Sequence, residues 1–195
     1  AFTYKGDIYT VPVNGGKAAQ ITTNAAHDTH PVWSPDGKQI AFASDRMGSM
    51  DIFVVDREGG IPKRLTTHSG NETPVAFKDA DHILFLANVM PSAEDAQFPS
   101  GQFQQVYEVS TTGDRPVMFS SMPMEDISIN KTGNALLYHD KKGYEDPWRK
   151  HHTSSITRDI WLCSLDGKRS YRKLTSFNGE DRTPVWASDG KSFYY

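Results

Sequence analysis

Cysteine is almost absent: Cys163 stands alone among 195 residues. An internal disulfide is therefore impossible, and so is a zinc site built from several cysteines. Cys163 itself reads as a small apolar residue in a strand. An excess of one charge is missing too. With 21 Lys+Arg against 24 Asp+Glu the formal charge is -3, which leaves no electrostatic footprint for nucleic acid or an anionic lipid surface. No apolar run approaches the roughly 18 residues that a spanning helix needs, so membrane insertion by a helix is excluded. The opening AFTYKGDIYTV has neither the basic head nor the apolar core of a secretion signal, and it reads as if cut from inside a domain.

Catalytic signatures are missing as well. There is no G-x-S-x-G elbow, no Walker loop, no dinucleotide glycine motif and no zincin helix motif. Serines such as Ser154 and Ser155 have no recognisable activating base beside them. His27 and His30, in HDTH, are three apart but in a loop, so hydrogen bonding or capping is expected there rather than metal ligation. The expectation is a segment with no catalytic residues, no metal and no cofactor.

What is present is a repeat. PVWSPDGKQIAFAS at Pro31, PVAFKDADHILFLA at Pro74, ISINKTGNALLYHD at Ile127 and PVWASDGKSFYY at Pro184 are versions of one word. A second word reads DIYTVPVNGG at Asp7, DIFVVDREGG at Asp51, QVYEVSTTGD at Gln105 and DIWLCSLDGK at Asp159. Its steps are 44, 54 and 54 residues. A third word, QIT, RLT, MFS or KLT, closes each unit. A period near 40 to 50 made of short alternating strands marks a β-propeller with four strands per blade. No segment keeps a helical apolar period, and 37% apolar residues suffice for a core.

The words map onto strands. PVW is the innermost strand a, KQIAFAS strand b, DIFVVD strand c and KRLTT the outer strand d. SPDGK is the a–b turn, with Pro35, Asp36 and Gly37 each suited to its turn position. Asp45, Asp51, Asp56 and Asp159 recur near strand ends, where turn and register duties account for them. Trp33 and Trp186 share one repeat position and are expected to fill the space between blades. The fold class is therefore all-β, a propeller of four-stranded antiparallel blades present as a partial ring. Residues 1–195 form one incomplete domain, with blades at about 1–22 (partial), 31–66, 74–120, 127–175 and 184–195 (partial). The strand count predicts a window from a longer ring that extends in both directions, and six or seven blades would need roughly 260 to 310 residues.

The growth of the period is localised. It falls in two successive b–c loops, about 88–104 and 140–158, which emerge on one face of a propeller. Long loops on a rigid scaffold usually bind, gate or dock. The second carries Trp148, Arg149, His151 and His152, the residues expected to contact a peptide or partner. Adjacent histidines in extended chain diverge, so joint metal ligation by His151 and His152 is not expected.

The words P-x-W-S-P-D-G-K-x-I-A-F and D-I-(F/Y)-x-V-x-x-x-G-G resemble the propeller repeats of TolB and of tricorn-type peptidases. THSGNETPVAF at 67–77 and YHDKKGYEDPWRKHHTSSITRDIW at 138–161 resemble more narrowly the N-terminal propeller of bacterial tricorn-like serine peptidases, notably of Bacteroidetes type. This resemblance implies a large parent serine peptidase whose nucleophile and base lie outside this chain. It implies a propeller that gates or guides peptides, docks the parent's other domains, and sits in the periplasm, with oligomerisation left open. The competing expectation is a stand-alone periplasmic TolB-like propeller for protein–protein interaction. A prolyl-oligopeptidase-type propeller is a third.

Overall fold

In a computed structural model, residues 1–88, 104–142 and 156–195 are described. Every regular element among them is a β-strand. The first sheet holds β1 (Phe2–Tyr4), β2 (Asp7–Thr10) and β3 (Ala19–Gln20). The second holds β4 (Asp28–Trp33), β5 (Gln39–Ser44), β6 (Asp51–Asp56) and β7 (Lys63–Arg64). The third holds β8 (Glu72–Phe77), β9 (His82–Ala87), β10 (Gln105–Ser110) and β11 (Val117–Ser120). The fourth holds β12 (Met124–Ile129), β13 (Ala135–Asp140), β14 (Ile160–Ser164) and β15 (Ser170–Lys173), and a last hairpin pairs β16 (Val185–Trp186) with β17 (Phe193–Tyr194). Each four-stranded sheet is an antiparallel meander with its strands in chain order, which is the blade of a propeller. The chain divides into two compact units, one holding β1 to β11 and the other β12 to β17.

Within the first unit, successive blades pack face to face. Ile8 and Ile21 of the first sheet meet Ile40, Phe42, Phe53 and Val55 of the second. The other face of the second sheet, Ala41, Ile52 and Val54, meets Ile83, Phe85 and Tyr107 of the third. Central strands b and c are therefore apolar on both sides, as in QIAFAS and DIFVVD, because each face has its own neighbour. Cys163, on β14, is fully buried, as a small apolar strand residue should be.

The a–b turn follows the chemistry of its residues. Gly37 adopts φ +66° and donates its N–H to Ser34 O at 2.9 Å. Hydrogen bonds from Ser34 and Lys38 hold the Asp36 carboxyl down to about 2. Strand a, however, begins three residues earlier than the sequence words suggest, at Asp28 rather than Pro31. The sequence conceals this because a bulge separates the two halves: the β4–β5 register shifts between Thr29 and Val32.

The third word has a specific structural duty. Thr22, Thr66 and Thr175 are each buried just after an outer strand. Their Oγ1 atoms accept the N–H of Ile8, Ile52 and Ile160 at 2.9, 2.9 and 3.0 Å. The preceding residues, Ile21, Leu65 and Leu174, donate to the carbonyls of the same three isoleucines, each at 2.8 Å. The chain then enters the next innermost strand through an acid whose N–H is also fixed. Asp28, Glu72 and Asp181 donate to Gly6 O, Met50 O and Arg158 O at 2.8, 2.8 and 3.1 Å. These bonds tie the end of one blade to the start of the next.

Candidate functional site

The second insert springs from the second unit, between β13 and β14. Its four predicted contact residues, Trp148, Arg149, His151 and His152, lie outside the described residues. The roots of the insert are described, and they are closed. Asp140 donates its N–H to Asp159 O at 3.2 Å, and Asp159 donates its N–H to Asp140 Oδ1 at 2.8 Å. Lys142 clamps the same pair: it contacts Asp159 directly, stands 3.7 Å from Asp140 and donates to Thr157 O at 2.7 Å. Lys173, on the outer strand, reaches Asp159 at 2.9 Å. Burial acts to raise the Asp159 carboxyl, but hydrogen bonds from Lys142 and Lys173 outweigh it and hold it below the usual range. Burial likewise opposes the charge on Lys142, and the bond to Asp159 overcomes this and raises it.

Beside these roots lies a second cluster, centred on the buried His139. His139 Nε2 lies 3.1 Å from Glu125 Oε2, while Nδ1 accepts the Thr183 N–H at 3.3 Å. A nitrogen that accepts carries no proton, so the ring proton is on Nε2 and is donated to Glu125. Asp126 Oδ2, 3.5 Å from Nδ1, takes its hydrogen bond from Thr183 Oγ1 at 3.0 Å. Glu125 also receives Lys141 at 2.7 Å and Arg158 at 3.4 Å. Burial pushes the Glu125 carboxyl up; hydrogen bonds from Lys141 and His139 more than reverse it, leaving it below its usual value. Glu180 joins the cluster through Arg158 at 3.5 Å and Arg182 at 2.9 Å.

Backbone strain collects at the same place. Asp126 and Thr183 have φ of +50° and +54°, and Thr is a poor occupant of the left-handed region because its Cβ is branched. Asp126 lies in β12, where the β12–β13 register shifts between Glu125 and Ser128, and Thr183 lies just before β16. His30 has φ +54° at the matching place in β4. The bulge turns a polar side chain out of the strand at this repeat position. Chemically, the second-unit cluster ties the insert's roots together through paired charges. Glu125 and Glu180 are occupied by cations, while Asp126 is bonded by the Thr183 hydroxyl.

Several sequence expectations meet the structure here. His30 Nδ1 faces Thr29 Oγ1 at 3.0 Å and His27 donates its N–H to Asp45 Oδ1 at 2.7 Å; His27 is in a loop as expected, but His30 lies within β4, because the strand starts at Asp28. Among the described residues no group of three His, Cys, Asp or Glu is placed to hold a metal. Asp56 and Asp45 serve turns and loops as expected, Asp56 accepting the Glu58 N–H at 3.0 Å. Asp51 and Asp159 do not: both are buried and paired with cations, Asp51 with Arg64 and Asp159 with Lys142 and Lys173. Trp186 donates its indole N–H to Ser128 O at 3.0 Å, spanning from β16 to β12 as an inter-blade filler. Trp33 is 38% exposed. The sequence reading missed Glu125, His139, Lys141 and Arg158. The recurring acid of HDTH, NETP and EDRTP was the one available signal of the junctions.

The family model described as tricorn protease N-terminal beta propeller domain matches residues 1–195. Tricorn protease homolog 1 of Streptomyces coelicolor is 25% identical over 193 residues, which cover 99% of this chain and 17% of that protein. The tricorn protease homolog of Saccharolobus solfataricus is 24% identical over 196 residues, covering 95% of this chain and 17% of that protein. The chain thus spans a small part of these relatives. Among solved structures, TolB from Acinetobacter baumannii superposes with a TM-score of 0.63 at 17% identity, over 97% of this chain and 42% of that one. At that identity the likeness concerns the fold.

Proposed function

The chain belongs to the family of tricorn protease N-terminal β-propeller domains, and from that premise we propose that it is the non-catalytic propeller segment of a larger tricorn-like serine peptidase. The observation that carries this is the family match along residues 1–195, set beside relatives of which the chain spans 17%. In this reading residues 1–195 are one incomplete propeller domain. Its function is steric and weakly polar: a propeller passage admits extended peptides and rejects folded proteins. Trp148, Arg149, His151 and His152 contact the passing peptide or dock a neighbouring domain. The closed, charge-paired roots at Asp140 and Asp159 support that role by fixing where the insert starts and ends. The parent's nucleophile and base lie outside this segment. The parent is of the Bacteroidetes type and works in the periplasm.

The test is the intact mass of the native polypeptide, recognised through peptides of this segment. A mass far above 21.8 kDa, with a serine peptidase domain among its C-terminal peptides, is the expected result. A mass fitting one propeller and a small extra domain would overturn it and favour a stand-alone TolB-like binding protein. In the full enzyme, replacing Trp148, Arg149, His151 and His152 with alanine should change the preference among peptide substrates. Hydrolysis of a minimal dipeptide-sized substrate should stay unchanged.

A further inference from the structure

The three junctions that share the threonine bond differ in how they treat the acid opening the next strand. Asp28 faces a cation: Arg46 Nη2 lies 2.8 Å from both of its carboxylate oxygens. Asp181 is buried, and its Oδ2 has no hydrogen-bond partner. Glu72, between the second and third blades, has no cation of its own. It is fully buried, its Oε1 has no hydrogen-bond partner, and its Oε2 meets the Thr66 hydroxyl. That hydroxyl already accepts the Ile52 N–H at 2.9 Å.

The charged surroundings of Glu72 do not favour an anion. From β6 comes Asp51, a second carboxylate with no exposed surface. From β7 comes Arg64, which spends its charge on Asp51: Nη2 stands 2.7 Å from Asp51 Oδ2, an ion pair by distance without the alignment of a hydrogen bond. From the loop before β8 comes His68, whose Nδ1 accepts the Gly70 N–H at 3.1 Å and whose charge, when present, acts on Asp51. Two buried carboxylates thus share one guanidinium. A buried carboxylate without a partner is costly, and the inexpensive remedy is a proton.

We propose that Glu72 stands in this junction as a neutral carboxylic acid, and that its ionisation loosens the seam between the second and third blades. The acid O–H can donate to Thr66 Oγ1, which keeps the Thr66–Ile52 bond and adds no charge. Ionised, Glu72 brings a second negative charge against Asp51 with no donor for Oε1. Burial, with Asp51 adding to it, outweighs the Thr66 and Ile52 bonds and the Arg64 charge and raises the Glu72 carboxyl from the ordinary 4.5 to about 7. The folded protein therefore binds a proton that an unfolded chain has released. The stabilisation is complete below about 4.5 and is lost as pH climbs toward about 7. The fourth blade offers a natural comparison: its innermost strand begins with Met124, an apolar residue that needs no proton.

The test is amide hydrogen exchange on the full-length polypeptide at about pH 5.5 and about pH 8.5, corrected for the intrinsic exchange rate. Protection at the Ile52 and Glu72 amides should fall at least roughly tenfold between the two, while the Ile8 and Asp28 amides of the Arg46-served junction keep theirs. Glu72→Gln, a neutral isostere, should remove the pH dependence and stay protected throughout. If Glu72→Gln does not fold, Glu72→Met, which copies Met124, takes its place. Equal loss at both junctions, or no loss in the unaltered protein, overturns the proposal. So does a pH dependence that survives in the neutral variant, or one abolished by His68→Gln alone.

Discussion

Arg46 grips Asp28 with a single guanidinium nitrogen, Nη2, 2.8 Å from each carboxylate oxygen, while its Cζ lies 4.7 Å from the Phe53 ring centre and 5.4 Å from that of Phe42. Asp28 has no exposed side-chain surface, so the b–c loop of one blade is tied to the start of its innermost strand by a buried ion pair. Removing one member of such a pair strands the other charge. Arg46→Met should therefore cost about 3–5 kcal/mol, most of it the penalty of leaving Asp28 unpaired. Replacing both residues with apolar ones should cost less than the single change. Urea denaturation of the two variants checks this, and a loss under 1 kcal/mol for Arg46→Met would count against it.

The threonines that close the outer strands make a separate prediction. Each accepts a buried isoleucine N–H, so Thr66→Val keeps the shape and deletes the acceptor. The expected loss is about 1–3 kcal/mol, the cost of an unpaired buried N–H. Thr66→Ser should recover most of it, because the acceptor is retained. The same ordering should hold at Thr22 and Thr175, which serve Ile8 and Ile160. If valine and serine variants have equal denaturation midpoints, the hydrogen bond is not what holds the word in place.

These bonds show what the sequence disclosed and what it withheld. The repeated words revealed the strands, their order and the two stretched loops, because apolar alternation and turn residues are local signals. QIAFAS and DIFVVD needed no partner to be read. The start of strand a was missed by three residues, since a bulge at His30 breaks the alternation that would have marked it. His139, Glu125 and Arg158 were illegible for a different reason. They come from β13, β12 and the root of the insert, and only the fold brings them within 3.5 Å. Asp51 and Asp159 looked like turn residues because a strand-end aspartate reads alike whether water or a buried cation satisfies it.

Asp159 predicts an acid dependence. Its carboxyl is held below the ordinary 3.8 once the bonds from Lys142 and Lys173 have overcome burial. A depressed native value means that folding favours the ionised form. The stabilisation is present above about 4 and disappears as pH falls through the native value. Asp159→Asn should lower the denaturation midpoint near neutral pH and narrow its gap to the unaltered protein below about pH 3. Lys142 and Lys173 are partly exposed, so high salt should weaken the effect. A gap that stays constant from neutral pH to acid would show that the lysine bonds contribute nothing to stability.

The roots of the second insert allow a final expectation. Asp140 and Asp159 are already joined by two backbone-anchored hydrogen bonds, so the hairpin of β13 and β14 does not depend on what lies between Lys142 and Ile156. The register from Ala135↔Ser164 to His139↔Ile160 is continuous up to those roots. Loop-closure entropy changes slowly with length, and replacing 143–155 by a short glycine-rich turn alters it by only about 1 kcal/mol. The shortened full-length protein should therefore keep its melting temperature within a few degrees and retain His139 buried against Glu125. Its handling of long peptides, or the seating of its other domains, should change, because the predicted contacts at Trp148, Arg149, His151 and His152 go with the insert. Thermal melting beside peptide competition separates the two effects. Collapse of the fold would mean that the insert is structural, and that the peptide-contact reading of its residues has to be given up.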